Sequence, residues 1–130
     1  TIENKGPVPE GLREGVGDWV FGCDVCQEVC PWNRFEKPGS ALPAPKEPLV
    51  VPLEELAGLD ATAFKNRFHD LPVSRAKRRG LMRNVLLAMG NSGLPRFRAI
   101  LERFSADPDE MLAEQARWSL ARLSISHLQA

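Results

Sequence analysis

The chain has 130 residues, 43% of them hydrophobic and 26% charged, with no net formal charge. That suffices for one modest core, and no run approaches the roughly 18 apolar residues a membrane helix needs. The start carries no basic-then-apolar signal segment. A membrane protein, or a protein secreted on its own signal, is therefore excluded as a first reading. The first residue is Thr1, not Met, and the chain is expected to be a piece of a longer protein.

The zero net charge hides a split. Residues 1–60 hold 5 basic and 11 acidic side chains, and residues 61–130 hold 12 and 6. The second half should meet something anionic or pack on the first half. Plain solvated helix faces explain the split equally well. Proline divides the chain further. Pro31, Pro38, Pro43, Pro45, Pro48 and Pro52 fall close together, which forbids a helix and favours an extended connector. Three parts result: a cysteine-bearing loop segment at 1–36, a Pro-rich connector at 37–52, and a helical part at 53–130.

The helical part is legible in order. Asp60 is a plausible N-cap for a helix over 61–68, with Phe64 and Phe68 on one face. A long helix is expected over 75–90, with Leu81, Met82, Val85, Leu86 and Met89 on one apolar face. Gly90 and the segment 91–93 should stop it. Pro95 suits a first helical position, and Phe97, Ile100, Leu101 and Phe104 form the next stripe. Asp107 and Glu110 read as a capping box, with Pro108 at the first position of a last helix to about Leu123. Leu112, Ala116, Leu120 and Leu123 should face inward. Helix pairs joined by short turns are the grammar of α-solenoid repeats. The expected fold class is mainly α: a ferredoxin-like iron–sulfur loop segment, the connector, and a HEAT-like helical repeat unit.

The chemistry lies in Cys23, Cys26 and Cys30, within the string Gly22-Cys23-Asp24-Val25-Cys26-Gln27-Glu28-Val29-Cys30-Pro31-Trp32-Asn33. An odd count without secretory signals argues against a disulfide framework. Three soft thiolates this close suit zinc or iron–sulfur chemistry. The Cys-x2-Cys-x3-Cys-Pro spacing is the latter part of the bacterial ferredoxin run, whose last Cys reaches a second cluster. Cys23 and Cys26 would then bind one cluster and Cys30 the other. Val20 stands where the run needs another Cys, so further ligands must come from outside residues 1–130. Zinc with His69 or His127 as fourth ligand stays open, although neither has zinc-finger spacing.

At these residues the chain resembles the epoxyqueuosine reductase family. Thr1-Ile2-Glu3-Asn4-Lys5-Gly6-Pro7 is similar to the segment after a cluster cysteine in that family. Residues 17–33 resemble its second cluster motif, and Leu81 to Asn91 its C-terminal HEAT-like helices. The resemblance implies a cytoplasmic, cobalamin-dependent enzyme with two 4Fe–4S clusters, which reduces epoxyqueuosine at the wobble position of tRNA. It implies that the cobalamin-holding catalytic domain and the first cluster motif lie upstream of Thr1. This chain alone is then expected to be inactive and to lack a complete ligand set. Asp24 and Val25, between two ligands, are candidate cobalamin contacts; the plainer reading is that they shape the loop. Trp19, Phe21 and Trp32 should shield a cluster. An external electron donor is also implied.

The RNA interface is argued from charge. Arg75, Arg79 and Arg83 recur at i, i+4 and i+8, Lys77 and Arg78 add to them, and residues 75–90 contain no acid. Cations at a helix start oppose its dipole, and phosphate would offset that cost. Lys65 and Arg67 lie just before, and Lys5 lies in the cluster-side loop. Pairing with the acidic first half, including Glu54, Glu55 and Asp60, competes with this reading. Two further function classes stay open: another two-cluster oxidoreductase, and a non-catalytic zinc-binding helical module.

Overall fold

The structure, a computed structural model, describes residues 2–35 and 51–128. Most of the connector at 37–52 lies outside the described residues. Among the described residues there is no strand. Helix α1 spans Glu10–Val16 and α2 spans Val25–Glu28, followed by a 3-10 turn at Pro31–Phe35. Helices α3 (Leu53–Ala57) and α4 (Ala61–Phe68) lead to a 3-10 turn at Pro72–Ala76. Then come α5 (Lys77–Asn91), a 3-10 turn at Pro95–Phe97, α6 (Arg98–Ser105) and α7 (Glu110–Leu128).

Several expectations hold at residue level. Helix α4 covers the expected span, and the Asp60 carboxylate accepts from the Ala63 N–H at 2.7 Å. Phe64 and Phe68 share a face, their ring centroids 5.2 Å apart. Pro95 opens its turn, as its fixed φ favours. Others need correction. The last helix is capped by Asp109, not by an Asp107–Glu110 box. Asp109 Oδ1 accepts from the Met111 N–H at 3.0 Å, while Asp107 only bonds the Asp109 N–H. Pro108 therefore precedes the helix. Segment 1–36 is not all loop, since α1 and α2 form within it.

The long helix also differs. Its first turn is a separate 3-10 element, and Lys77 takes a φ of 57° at the junction. Arg75 therefore does not continue the stripe of Arg79 and Arg83. Moreover, α5 has no solvent face along its second part: every residue from Gly80 to Gly90 is buried. It packs against α7 and α3 and receives α1. Gly90 does not stop it. A Cβ there would lie 2.6 Å from the Ser119 Cβ and 2.8 Å from its Cα. It is a crossing point at which α5 and α7 touch backbone to backbone, and α5 ends one residue later.

The cysteine-bearing half packs directly on this body. Val8 is buried, and Arg13, also buried, donates to the Val8 carbonyl at 2.8 Å and to Glu114 of α7 at 2.6 Å. Asn91 Nδ2 donates to the carbonyls of Arg13 (2.9 Å) and Gly17 (2.7 Å). Val20 and Phe21 pack on the apolar core. The charge split is thus largely answered within the chain. Glu3 meets Arg75, Glu14 meets Arg122, Glu54 meets Arg96 and Glu55 meets Arg67.

Candidate metal centre

The three thiols sit on one short, exposed stretch. Cys23 precedes α2, Cys26 lies within it, and Cys30 follows it at the entry to the Pro31–Phe35 turn. Gly22, with a φ of 68°, turns the chain into Cys23. The Asp24 carbonyl accepts the Gln27 and Glu28 N–H groups at 2.8 and 2.9 Å, which starts α2. Pro31 fixes the exit. All three cysteines are free; Cys23 and Cys26 are exposed and Cys30 is half-buried. The Asp24 side chain makes no capping bond and Val25 is exposed. Both therefore lie on the outer surface of the ligand loop.

Around these thiols the surface is unusually apolar. Val25, Val29, Trp32 and Phe35 are all exposed, Trp32 to 80%. Such a surface is costly to leave in water. Of the three expected shielding aromatics, Trp19 and Phe21 line an apolar cleft of about 360 Å³ with Leu53, Leu56 and Phe68. Trp32 lies outside this cleft, exposed beside the thiols. Among the described residues, no group of three His, Cys, Asp or Glu side chains could hold a metal ion. The donor set thus fits an iron–sulfur site in kind, being soft, unpaired thiols on a short irregular turn. It does not make a complete site. His69 pairs with Asp70 at 2.6 Å, and the His127 side chain lies outside the described residues.

The expected RNA-facing cations divide into two groups. Lys65 is exposed, and Arg67 is exposed but paired with Glu55. The others are engaged within the chain, Arg75, Arg79 and Arg83 with residues 3–6. Lys5 Nζ donates to the Arg75 carbonyl at 2.9 Å. Arg79 holds both Asp109 oxygens and donates to the Lys5 carbonyl at 3.1 Å. Arg78 donates to the Leu59 carbonyl at 2.7 Å. Arg83 is fully buried and donates to the carbonyls of Asn4 (2.9 Å) and Gly6. The reading of Arg83 as an RNA ligand is therefore corrected: a guanidinium without exposed surface, spent on backbone carbonyls, presents nothing to phosphate. Burial first, and the Arg79 charge second, push it below its ordinary pKa, yet an arginine stays protonated.

The Arg79–Asp109 pair makes a prediction. A hydrogen bond from Arg79 is the main cause that holds the Asp109 carboxyl below its ordinary pKa. A depressed folded-state pKa contributes stability at pH above the unfolded value of about 3.9, lost as pH falls through the folded value. Asp109→Asn keeps a good cap and removes the charge. The stability gap between parent and variant should be full at pH 7, under about 1 kcal/mol for this part-exposed pair, and should close as pH falls below about 4. Denaturant midpoints across that range check it; a gap independent of pH would show that the charge contributes nothing.

Sequence reasoning missed the amides. Asn84 is fully buried and its Nδ2 donates to the Val20 carbonyl at 2.9 Å. Its signal was present: a short amide at a position of the helix that otherwise reads as core.

Comparisons with known proteins agree with this picture. A family profile described as a 4Fe-4S double cluster binding domain matches residues 1–33, the segment that holds all three cysteines. The epoxyqueuosine reductase of Pseudomonas aeruginosa is 39% identical over 127 residues, covering 94% of this chain and 35% of the relative. That of Escherichia coli is 32% identical over 126 residues, covering 94% and 33%. Over 94% of its length the chain is similar to epoxyqueuosine reductases. It spans about a third of the length of the curated epoxyqueuosine reductases it matches, and it corresponds to their C-terminal part. A crystal structure of epoxyqueuosine reductase with a tRNA-Tyr epoxyqueuosine-modified tRNA stem loop superposes with a TM-score of 0.77 at 26% identity, covering 94% of this chain and 33% of that one. The epoxyqueuosine reductase structure from Bacillus subtilis, at 23% identity and a TM-score of 0.75 over 94% of this chain, shares the fold. No described helix is long and apolar enough to cross a membrane.

Proposed function

We propose that this chain is the C-terminal part of a cobalamin- and 4Fe–4S-dependent reductase that converts epoxyqueuosine to queuosine at the wobble position of tRNA. The observation that carries this is the cysteine run inside the matched double-cluster segment, in a chain whose relatives bear that activity in their names over 94% of its length. Two cubane clusters need roughly eight thiolates, four each, and the chain holds three cysteines. Cys23 and Cys26 would serve one cluster and Cys30 the other, the remaining ligands coming from elsewhere in the protein. The helices from α4 to α7 would form the HEAT-like unit against which the cluster segment rests.

When bound, cobalamin and the two clusters would supply the electrons for epoxide reduction. The chain's own residues do the holding. Gly22 and Pro31 set the two ends of the ligand loop, and Asp24 and Val25 lie on the side a cofactor would meet. The exposed Val25, Val29 and Trp32 would keep water from the sulfurs once covered by the rest of the enzyme, and low polarity there tunes potential. For RNA, the accessible cations are Lys5, Lys65, Arg67, Arg75, Arg78 and Arg79, with Lys65 the least engaged of them among the described residues. The cytoplasm and a separate electron donor fit this reading.

The test is metal content and turnover of the full-length protein purified without air. About eight irons with matching sulfide are expected. Cys26→Ser should lower both and abolish reduction of epoxyqueuosine in tRNA. About one zinc and no sulfide would overturn the reading in favour of a zinc-binding module.

A further inference from the structure

The loop that delivers Cys23 makes little use of its own backbone. From Gly17 to Gly22 the chain runs between two left-handed glycines, with φ of 63° and 68°. Its carbonyls at Gly17 and Val20 are both taken by side-chain amides of α5, from Asn91 at 2.7 Å and Asn84 at 2.9 Å. Cys23 follows three residues after Val20.

Asn84 has a second engagement. Its Oδ1 accepts from Arg83 Nε at 3.1 Å and from Arg83 Nη2 at 2.9 Å. Arginine has only donors and a backbone carbonyl only accepts. The amide orientation is therefore dictated by its partners: oxygen toward Arg83, nitrogen toward Val20. Arg83 in turn holds the carbonyls of Asn4 and Gly6. Two adjacent residues at the centre of a buried helix thus tie both arms of the double-cluster segment, 4–6 and 20–23, to one rigid element. The three carbonyls this pair holds, those of Asn4, Gly6 and Val20, all lie within residues 1–33, the part matched to the double-cluster family.

We infer that Asn84 is a positioning residue for the cluster ligand Cys23, acting through its hydrogen bond to the Val20 carbonyl and braced by Arg83. This rests on the proposed cluster function. A thiolate must reach its iron from a set direction, and outer-shell partners that orient ligands alter metal retention by about 10–100-fold when removed. Asn84 does this from more than sixty positions away in sequence, on a helix buried from Gly80 to Gly90.

Asn84→Asp separates this role from packing. The carboxylate keeps the size and the bond to Arg83, now charge-assisted, but faces the Val20 carbonyl with an acceptor in place of a donor. The experiment uses the full-length protein with its clusters. Iron release to a chelator should accelerate about tenfold or more, and the electron paramagnetic resonance signal of one reduced cluster should change while the other keeps its shape. Asp60→Ala serves as the control. It removes the α4 cap, whose bond is to the Ala63 N–H, and should lower the unfolding midpoint without either change. Asn84→Ser, which is too short to reach Val20 and adds no charge, carries the same expectation should the Asp variant fail to accumulate.

Iron retention and spectra equal to the parent's in the Asn84 variants would overturn the inference. So would an equal acceleration in Asp60→Ala, because global destabilisation would then explain it. A parent free of iron and sulfide overturns the cluster function and this inference together; an iron-loaded parent with unaffected variants overturns this inference alone.

Discussion

Gly90→Ala is expected to destabilise the chain by about 2 kcal/mol or more, although alanine is the better helix former. The propensity gain is about 1 kcal/mol. Against it stands a Cβ that would lie 2.6 Å from the Cβ and Oγ of Ser119 and 2.8 Å from its Cα. Carbon atoms in contact prefer about 3.5–4.0 Å. Rotating a side chain cannot relieve a clash with a Cα, so α5 and α7 must move apart by about an ångström. That would loosen Leu86, Met89, Ala116 and Leu123, all of them fully buried. It would also stretch the bond from Ser119 Oγ to the Leu86 carbonyl, now 2.8 Å. Overpacking of this kind costs about 1–3 kcal/mol, and the lost interdigitation adds to it. Denaturant unfolding of the single variants and of Gly90→Ala with Ser119→Gly checks this. The double variant should recover part of the loss, a positive coupling that distant sites do not show. A Gly90→Ala variant as stable as the parent would mean that the helices do not cross this closely.

Arg83→Met should cost about 3 kcal/mol or more, for a different reason. Methionine fills most of the volume, so the cavity term is small. What is lost is a fork of donors. The Asn4 and Gly6 carbonyls and Asn84 Oδ1 all lose their partner at once. A buried acceptor left unpaired costs about 1–3 kcal/mol, and breaking one side of a buried charged network costs about 3–5 kcal/mol. The effect should be local as well as global. Segment 2–8 is held to α5 through Arg83 and Arg79 and to the preceding 3-10 turn through the Lys5–Arg75 bond, so amide exchange there should rise more than in α6 or α7. Arg83→Lys should recover little, because one ammonium cannot reproduce the planar fork. Uniform protection across the chain in the Met variant would show that the arginine is not a clamp.

These two residues mark where reading the sequence stops. The Leu81–Met89 periodicity correctly announces a helix and core residues on it. It assigns Arg83 to an exposed basic stripe because i, i+4 spacing counts positions and not neighbours. Here residues 4–6 lie over Arg83, which is fully buried, while Arg79 keeps half of its side chain exposed. Likewise Gly90 reads as a stop signal, since glycine ends helices more often than it crosses them. Only the approach of Ser119, 29 residues on, shows otherwise. The cap of the last helix moved from Asp107 to Asp109 for a related reason. Both are good caps by type, and Arg79 reaches the second.

The sequence by itself carried the three-cysteine pattern and the likeness to epoxyqueuosine reductases. Three thiols at fixed spacing before a proline form a local pattern, legible without knowing what packs behind them. It also determined α4 and its Asp60 cap, because the capping bond closes within four residues. The tertiary structure alone decided which cations are spent inside the protein, which amides hold the loop before Cys23, and where two helices touch. Those outcomes depend on partners 19 to 79 positions apart, whose approach is set by burial of a shared core, and no local periodicity encodes it.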